Sequence, residues 1–262
     1  MRALPRIMVA PNGARLSKTD HPAIPLTLDE IVACARDCHA AGADGIHAHI
    51  RDADGQHLLD CARYRQLVSA LKGAVPDLAV QITTEAVGRY DPATQMEVAL
   101  NAGAEMVSVS IREICRADVS DVGRFFHQCR DTGIAVQHIL YDRGDCELLG
   151  EVLAEDELHN PALQLLYVLG RYSENLQSTP SDLSPFVDWQ ASLNLTPDWA
   201  VCAFGKSEAV CLKAAAALGG KCRVGFENSL YLSDGSIAAD NAEKVKDLRA
   251  ILTRDEGASN QL

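Results

Sequence analysis

The sequence predicts a single-domain α/β protein, a (β/α)8 (TIM) barrel, on three observations. Short apolar runs of strand length alternate with helix-length runs eight times over, at a repeat of about thirty residues, as βα units do. The 262 residues are the length of one such barrel, about 250 residues, with little left over. No G-x-G-x-x-G follows the first strand, where an open dinucleotide-binding sheet would carry it.

The strand-like runs are RIMVAP from Arg6, GIHAHI from Gly45, LAVQIT from Leu78, EMVSVSI from Glu105, IAVQHILY from Ile134, LQLLYVLG from Leu163, WAVCAFG from Trp199 and CRVGF from Cys222. Each is rich in β-branched or small apolar residues, as strands buried on both faces are. The first helix is expected over TLDEIVACARDCHAAG. Thr27 is its N-cap, Glu30 completes a capping box three residues later, and Gly42 ends it. Helices are expected next around YRQLVSALKGAV, ATQMEVALNAG and VSDVGRFFHQCRDTG. Four more follow at ELLGEVLAEDELHN, SDLSPFVDWQASL, SEAVCLKAAAALGG and NAEKVKDLRAILTRD. The stretch from Gly170 to Pro180 reads as a surface loop. The barrel should occupy residues 1–256, with a frayed tail over 257–262.

Composition narrows the function classes. The formal net charge of −12 argues against nucleic acid and against an anionic membrane surface, both of which need a basic face. No apolar run reaches the roughly 18–20 residues of a spanning helix, and the N-terminus lacks the apolar core of a signal peptide. Nine cysteines with no C-x-x-C pair read as reduced thiols packed as small hydrophobes. A cytoplasmic protein is the expectation.

Barrel chemistry gathers where strands end. The second strand ends in His47-Ala48-His49. Residues two apart on a strand share a face, so both imidazoles can address one point. The eighth strand ends in Arg223-Val224-Gly225-Phe226-Glu227-Asn228, and in a closed barrel strands eight and two both flank strand one. Glu227 can therefore reach the same point. Two histidines and one carboxylate with an open position form the ligand set of a catalytic zinc. The remaining histidines are weaker candidates. His39, His127 and His159 fall on helices, His57 in a turn, His21 in the first loop, and His138 in mid-strand on a face the sequence leaves open.

Five segments, GADGIHAHIRDADG, VQITTEAVG, AEMVSVSIRE, LYVLGR and CRVGFENSLY, resemble in order and position the β-keto acid cleavage enzyme family, and the similarity spans essentially the whole chain. The resemblance implies a zinc-dependent (β/α)8 barrel, often a homo-tetramer. It condenses a small-molecule β-keto acid with acetyl-CoA, giving acetoacetate and a new acyl-CoA, with no cofactor besides Zn2+. It also implies that His47, His49 and Glu227 are the zinc ligands. Arg223 then pairs with the catalytic carboxylate, Thr83 matches a serine that helps hold the substrate, and Ser108 matches a hydroxyl residue of the same pocket.

The departures are specific. The family's base is an aspartate directly after the glutamate ligand, and here Asn228 stands there; an amide cannot take up a proton at neutral pH. A family glutamate of the first loop aligns with Arg15. A strand-five glutamate of the branch acting on 3-keto-5-aminohexanoate aligns near Ile139. Arg15 would favour extra negative charge, as in a dicarboxylic keto acid or the phosphates of CoA. Glu85, at the end of strand three, is the candidate replacement for the base, with Asp52 behind it. Arg51, Arg89, Arg112, Arg143 and Arg171 all follow strand ends, so a locally basic mouth is expected. Alternatives are a metal-dependent hydrolase or aldolase on the same barrel, or a degenerate zinc-binding member with Asn228 in place of its base.

Overall fold

The computed structural model describes the backbone of residues 1–259 and side chains as far as Thr253. Eight parallel strands close into a barrel: β1 (Ile7–Val9), β2 (Gly45–Ala48), β5 (Ala79–Thr83), β6 (Met106–Ser110), β7 (Ala135–Leu140), β8 (Gln164–Leu169), β9 (Asp198–Ala203) and β10 (Lys221–Val224). All eight expected strands are present, in the expected order. The closure runs through β1, which pairs with β2 on one side and β10 on the other. The remaining strands, β3 (Ile50–Arg51) and β4 (His57–Leu58), form a small antiparallel hairpin just after β2. That hairpin is an addition to the sequence reading, which placed His57 in a plain turn. Two residues per strand are too few to show an alternation.

Helices α1 (Leu28–Ala41), α2 (Cys61–Ala74), α3 (Pro92–Asn101), α5 (Val119–Asp131), α8 (Ser184–Ser192), α9 (Glu208–Ala217) and α10 (Asn241–Ser259) lie where the sequence placed them. Thr27 and Glu30 make the predicted capping box on α1, and Gly42 closes it at φ 105°. A one-turn helix, α4 (Ile111–Ile114), leaves β6 directly. The expected single helix from Glu147 to Asn160 is two: α6 (Arg143–Val152) and α7 (Glu155–Leu158). Asp142 caps the Asp145 N–H and starts α6 earlier, and an extended Leu153 breaks it. Helix α10 runs to Ser259; the rest of the tail, residues 260–262, lies outside the described residues.

Strand alternation sorts side chains into two apolar compartments. Along β7, Ala135 and Ile139 join Met8, Met106, Leu166, Val168 and Cys202 inside the barrel. Val136 and Leu140 pack outward with the helices, as do Val107, Leu165 and Tyr167. Polar side chains share that interior: Gln81, Thr83, Ser108, Ser110, Gln137 and Arg223 are all buried. Thr83 and Ser110 close β5 and β6, at the strand ends where barrel chemistry is possible. All nine cysteines are free, and no described helix is long and apolar enough to cross a membrane.

The register settles His138. It belongs to the outward set and meets Phe126 of α5 edge-on, ring centroids 4.7 Å apart. Burial alone pushes its pKa down to about 4. The unfolded chain binds a proton below about pH 6.5 that the folded chain refuses, so stability falls as pH drops from 6.5 towards 4. By pH 5 this amounts to ~2 kcal/mol from this one residue. A His138→Leu variant should therefore show a flatter urea-midpoint profile between pH 7 and 5 than the wild type; parallel profiles would contradict the assignment.

Candidate metal centre and cavity

The closure through β1 brings the ends of β2 and β10 together. His47 and His49 face each other, Nε2 to Nε2 at 3.1 Å. Glu227 Oε2 lies 3.6 Å from His47 Nε2 and 3.5 Å from His49 Nε2. The ligating atoms of these residues all lie within 4.8 Å of one another. No other cluster of this kind occurs among the described residues.

Each donor is oriented by a neighbour. His47 Nδ1 sits 2.8 Å from Gln81 Oε1. The Gln81 amide donates to Gln137 Oε1 at 3.0 Å, and Gln137 donates to the Leu165 carbonyl at 3.1 Å. That chain ends on an obligate acceptor, so it runs one way. Gln81 must present its oxygen, His47 must donate from Nδ1, and the Nε2 lone pair is left free. This is the outer-shell arrangement that prepares a histidine ligand. Burial, with the Arg223 charge adding to it, holds His47 well below its ordinary pKa and so neutral.

His49 is placed through its backbone: its N–H donates to Asn12 Oδ1, and the Asn12 amide donates to the carbonyls of His49 and Pro25. Arg223 donates to Glu227 Oε1 at 3.2 Å. Burial by itself would raise the Glu227 pKa, but Arg223 and the two histidines outweigh it and hold the carboxylate well below the usual range. Glu227 Oε2 is buried with no hydrogen-bond donor. A buried carboxylate oxygen without a donor is costly. Two imidazole nitrogens at contact can share at most one proton. The two nitrogens and the oxygen fit a divalent cation, and two histidines with one carboxylate is a zinc-type donor set.

Above this cluster opens a cavity of about 350 Å³, lined by the loops that follow the strands. Of the sequence candidates, Arg15, His47, Thr83, Glu85, Arg223, Glu227 and Asn228 line it. Ser108 does not: it is buried beside Thr83 in the strand register, its hydroxyl unpartnered, while Ser110 of the same strand reaches the wall. Glu85 pairs with Arg15 at 3.1 Å and comes within 4.0 Å of His49 Nδ1. Asn228 is buried, and both ends of its amide lack a partner. Ile139 lines the wall in place of an acid. The Gly170–Pro180 segment, expected as a surface loop, supplies Asn175, Leu176 and Gln177 to the wall. Gly170 and Gly205 admit it closely, for a Cβ on either would fall 2.6 Å or 2.4 Å from a backbone oxygen of the loop.

The expected arginine-rich mouth is corrected. Arg51 is committed to carbonyls of the first loop, among them Ala14 at 2.7 Å and Leu16 at 3.1 Å. Arg112 is neutralised by Asp142 and Asp145 at 2.6 and 2.8 Å, Arg143 pairs with Glu147, and Arg89 donates to the His57 carbonyl. Only Arg171 of that set lines the cavity, joined by Lys206. Arg171 lies 5.4 Å above Phe204, and Lys206 lies 4.9 Å above Tyr231. Asp52 is likewise committed, capping the hairpin turn through the N–H groups of Asp54 and Gln56. Sequence reading missed Gln81, Gln137, Asn12 and Ser110. The available signal for Gln81 and Gln137 was phase, a polar residue at an inward position of an apolar strand.

In the metal-free protein, 15N spectra of the imidazole should show His47 as the Nδ1–H tautomer throughout pH 6–8. Gln81→Leu should allow the Nε2–H form to appear. A wild-type protein with His47 protonated at Nε2 would contradict the directed amide chain.

The chain is 28% identical over 242 residues to the 3-keto-5-aminohexanoate cleavage enzyme of Acetoanaerobium sticklandii, covering 89% of this chain and 86% of that one. It is 23% identical to the 3-oxoadipate:acetyl-CoA acetyltransferase of Cupriavidus necator, over 94% and 87% of the two chains. Among solved structures, a ternary complex of ObcA with a C4-CoA adduct and oxalate superposes with a TM-score of 0.64 at 15% identity, over 91% of this chain and 64% of that one. KGPDC from Streptococcus mutans gives 0.54 at 15% identity, over 97% and 99%; these two likenesses concern the fold. A family profile matches residues 6–257, and the chain belongs to the beta-keto acid cleavage enzyme family.

Proposed function

We propose that this protein is a zinc-dependent acyltransferase that cleaves a β-keto acid against acetyl-CoA. The acetate unit of the keto acid passes to the acetyl group, giving acetoacetate, and the remaining acyl group leaves as its CoA thioester. One C–C bond breaks, one forms, and the thioester is exchanged, so no redox partner is needed. The observation that carries the reading is the convergence of His47, His49 and Glu227 at the floor of the cavity, within 4.8 Å and beneath unpartnered polar groups. Relatives named for transfer to or from acetyl-CoA support it.

His47, His49 and Glu227 would hold the Zn2+, which supplies Lewis-acid polarisation of the keto oxygen and so acidifies the adjacent carbon. Arg223 keeps Glu227 ionised and oriented, and its Nε and Nη1 remain without partners. Those donors, with the hydroxyls of Thr83 and Ser110, suit a substrate carboxylate. Asn228 can donate to oxygen that gains charge but cannot remove a proton. Glu85 is the carboxylate on the wall that can take the proton, and Arg15 holds it in place. Arg171 and Lys206 have no carboxylate partner among the described residues and suit an anionic tail or the phosphates of CoA.

Asn228 favours one second reading, a member that binds metal and ligand without turnover. Zinc analysis together with acetyl-CoA-dependent turnover across a panel of mono- and dicarboxylic β-keto acids separates the two. The proposal expects about one zinc per chain and turnover that Glu85→Gln lowers by roughly 10²–10⁴-fold, the usual contribution of a positioned base. Zinc without CoA-dependent turnover supports the second reading. Absence of zinc, or unchanged turnover in Glu85→Gln, contradicts the metal or the base assignment respectively.

A further inference from the structure

We propose that Glu208, desolvated in a buried pair with Lys244, and Asn241 position the ligand loop after β10, Glu208 acting on Glu227 through the backbone of Gly225. Glu208 opens α9 and Lys244 lies in the first turns of α10, so two outer helices reach one point against the loop after β10. Lys244 Nζ lies 2.6 Å from Glu208 Oε2, and both side chains are 2% exposed. A pair this deeply desolvated costs more than its mutual attraction returns unless its other hydrogen-bonding capacity is used. Here that capacity is spent on one loop. Glu208 Oε1 accepts the Gly225 N–H at 3.2 Å, and Lys244 donates to the Tyr231 carbonyl.

The backbone donors of the loop can be followed one by one. The Gly225 N–H goes to Glu208, and the Phe226 N–H goes to Asn241 Oδ1 at 2.9 Å. The Glu227 N–H goes to the Ala10 carbonyl at 3.0 Å, and the Asn228 N–H turns back to the Gly225 carbonyl at 2.9 Å. The two peptides before the ligand are therefore held by side chains from helices rather than by the barrel ladder. Asn241 also donates to the Pro11 carbonyl at 3.1 Å, which ties this loop to the one after β1. Gly225 itself has φ 145°, and a Cβ there would stand 2.4 Å from the Ala10 oxygen. The backbone thus takes a conformation that side chains rarely adopt, and such a turn keeps its shape only when its surroundings over-determine it.

This inference rests on the metal reading, and its test separates the two. Zn2+ affinity of the whole chain is measured by competition with a chromophoric chelator, and the visible spectrum of the Co2+-loaded protein reports the ligand geometry. Two double variants stay free of an unpaired buried charge: E208Q/K244M keeps an acceptor for the Gly225 N–H, and E208L/K244M removes it. K221M, which removes an ion pair with Asp198 at the opposite end of β10, controls for lost stability. The expected result is a 10–100-fold weaker Zn2+ affinity and an altered Co2+ spectrum in E208L/K244M, as for other outer-shell losses. E208Q/K244M should stay within about threefold of wild type, and K221M should be unchanged. Equal affinity in E208L/K244M and wild type, or equal losses in both double variants, overturns the positioning role. A wild-type protein that binds no Zn2+ overturns the metal reading and this inference with it.

Discussion

Everything at the working end of this protein depends on β1 being the seam of the barrel. Parallel strands with right-handed crossovers set chain neighbours side by side, and closure then sets the last strand beside the first. His47 and His49 from the second βα unit and Glu227 from the eighth are thereby brought across one narrow strand, although some 180 residues separate them in the sequence. The first loop must pass very close to the ligand. Gly13, at φ 56°, allows it, since a Cβ there would stand 2.6 Å from Glu227 Cγ.

Around that seam the protein holds polar groups in a graded order. At the centre the ligand atoms of His47, His49 and Glu227 converge, Glu227 Oε2 with no hydrogen-bond donor. Next come the groups that fix their direction: the amide chain from Gln81 to Leu165, Arg223 on Glu227, and Asn12 on the His49 backbone. Farther out, Glu208, Lys244 and Asn241 hold the loop itself. Arg223 links the layers, for its positive charge keeps Glu227 ionised and adds to the burial that holds His47 neutral. The overall charge of −12 coexists with cations at the mouth because most of the acidic residues lie elsewhere. Arg171 and Lys206 are held over aromatic rings instead of being neutralised by carboxylates, which leaves their charge for a ligand.

The fold and the donor triad were legible in the sequence because both follow from short-range regularities. Strand periodicity locates His47 and His49 on one face, and counting βα units places Glu227 opposite them. What stayed hidden depends on contacts between units far apart in the chain. Arg51 and Arg171 occupy equivalent positions after their strands, yet only the folded loops show that one is buried among carbonyls while the other faces the cavity. Ser108 and Ser110 share a strand face, and only the depth of the cavity decides between them. Gln81 and Gln137 stood in the inward phase of their strands, but their direction of hydrogen bonding comes from the Leu165 carbonyl, three strands on from Gln81.

In the proposed site His47, His49 and Glu227 bind one cation with no sulfur ligand. X-ray absorption at the zinc edge of the purified protein reads those ligands out. The expected first shell is nitrogen and oxygen at about 2.0–2.1 Å, with the multiple-scattering pattern of two imidazoles. That pattern should fall to one imidazole in H49A. A sulfur shell near 2.3 Å, or a spectrum unchanged in H49A, would contradict it.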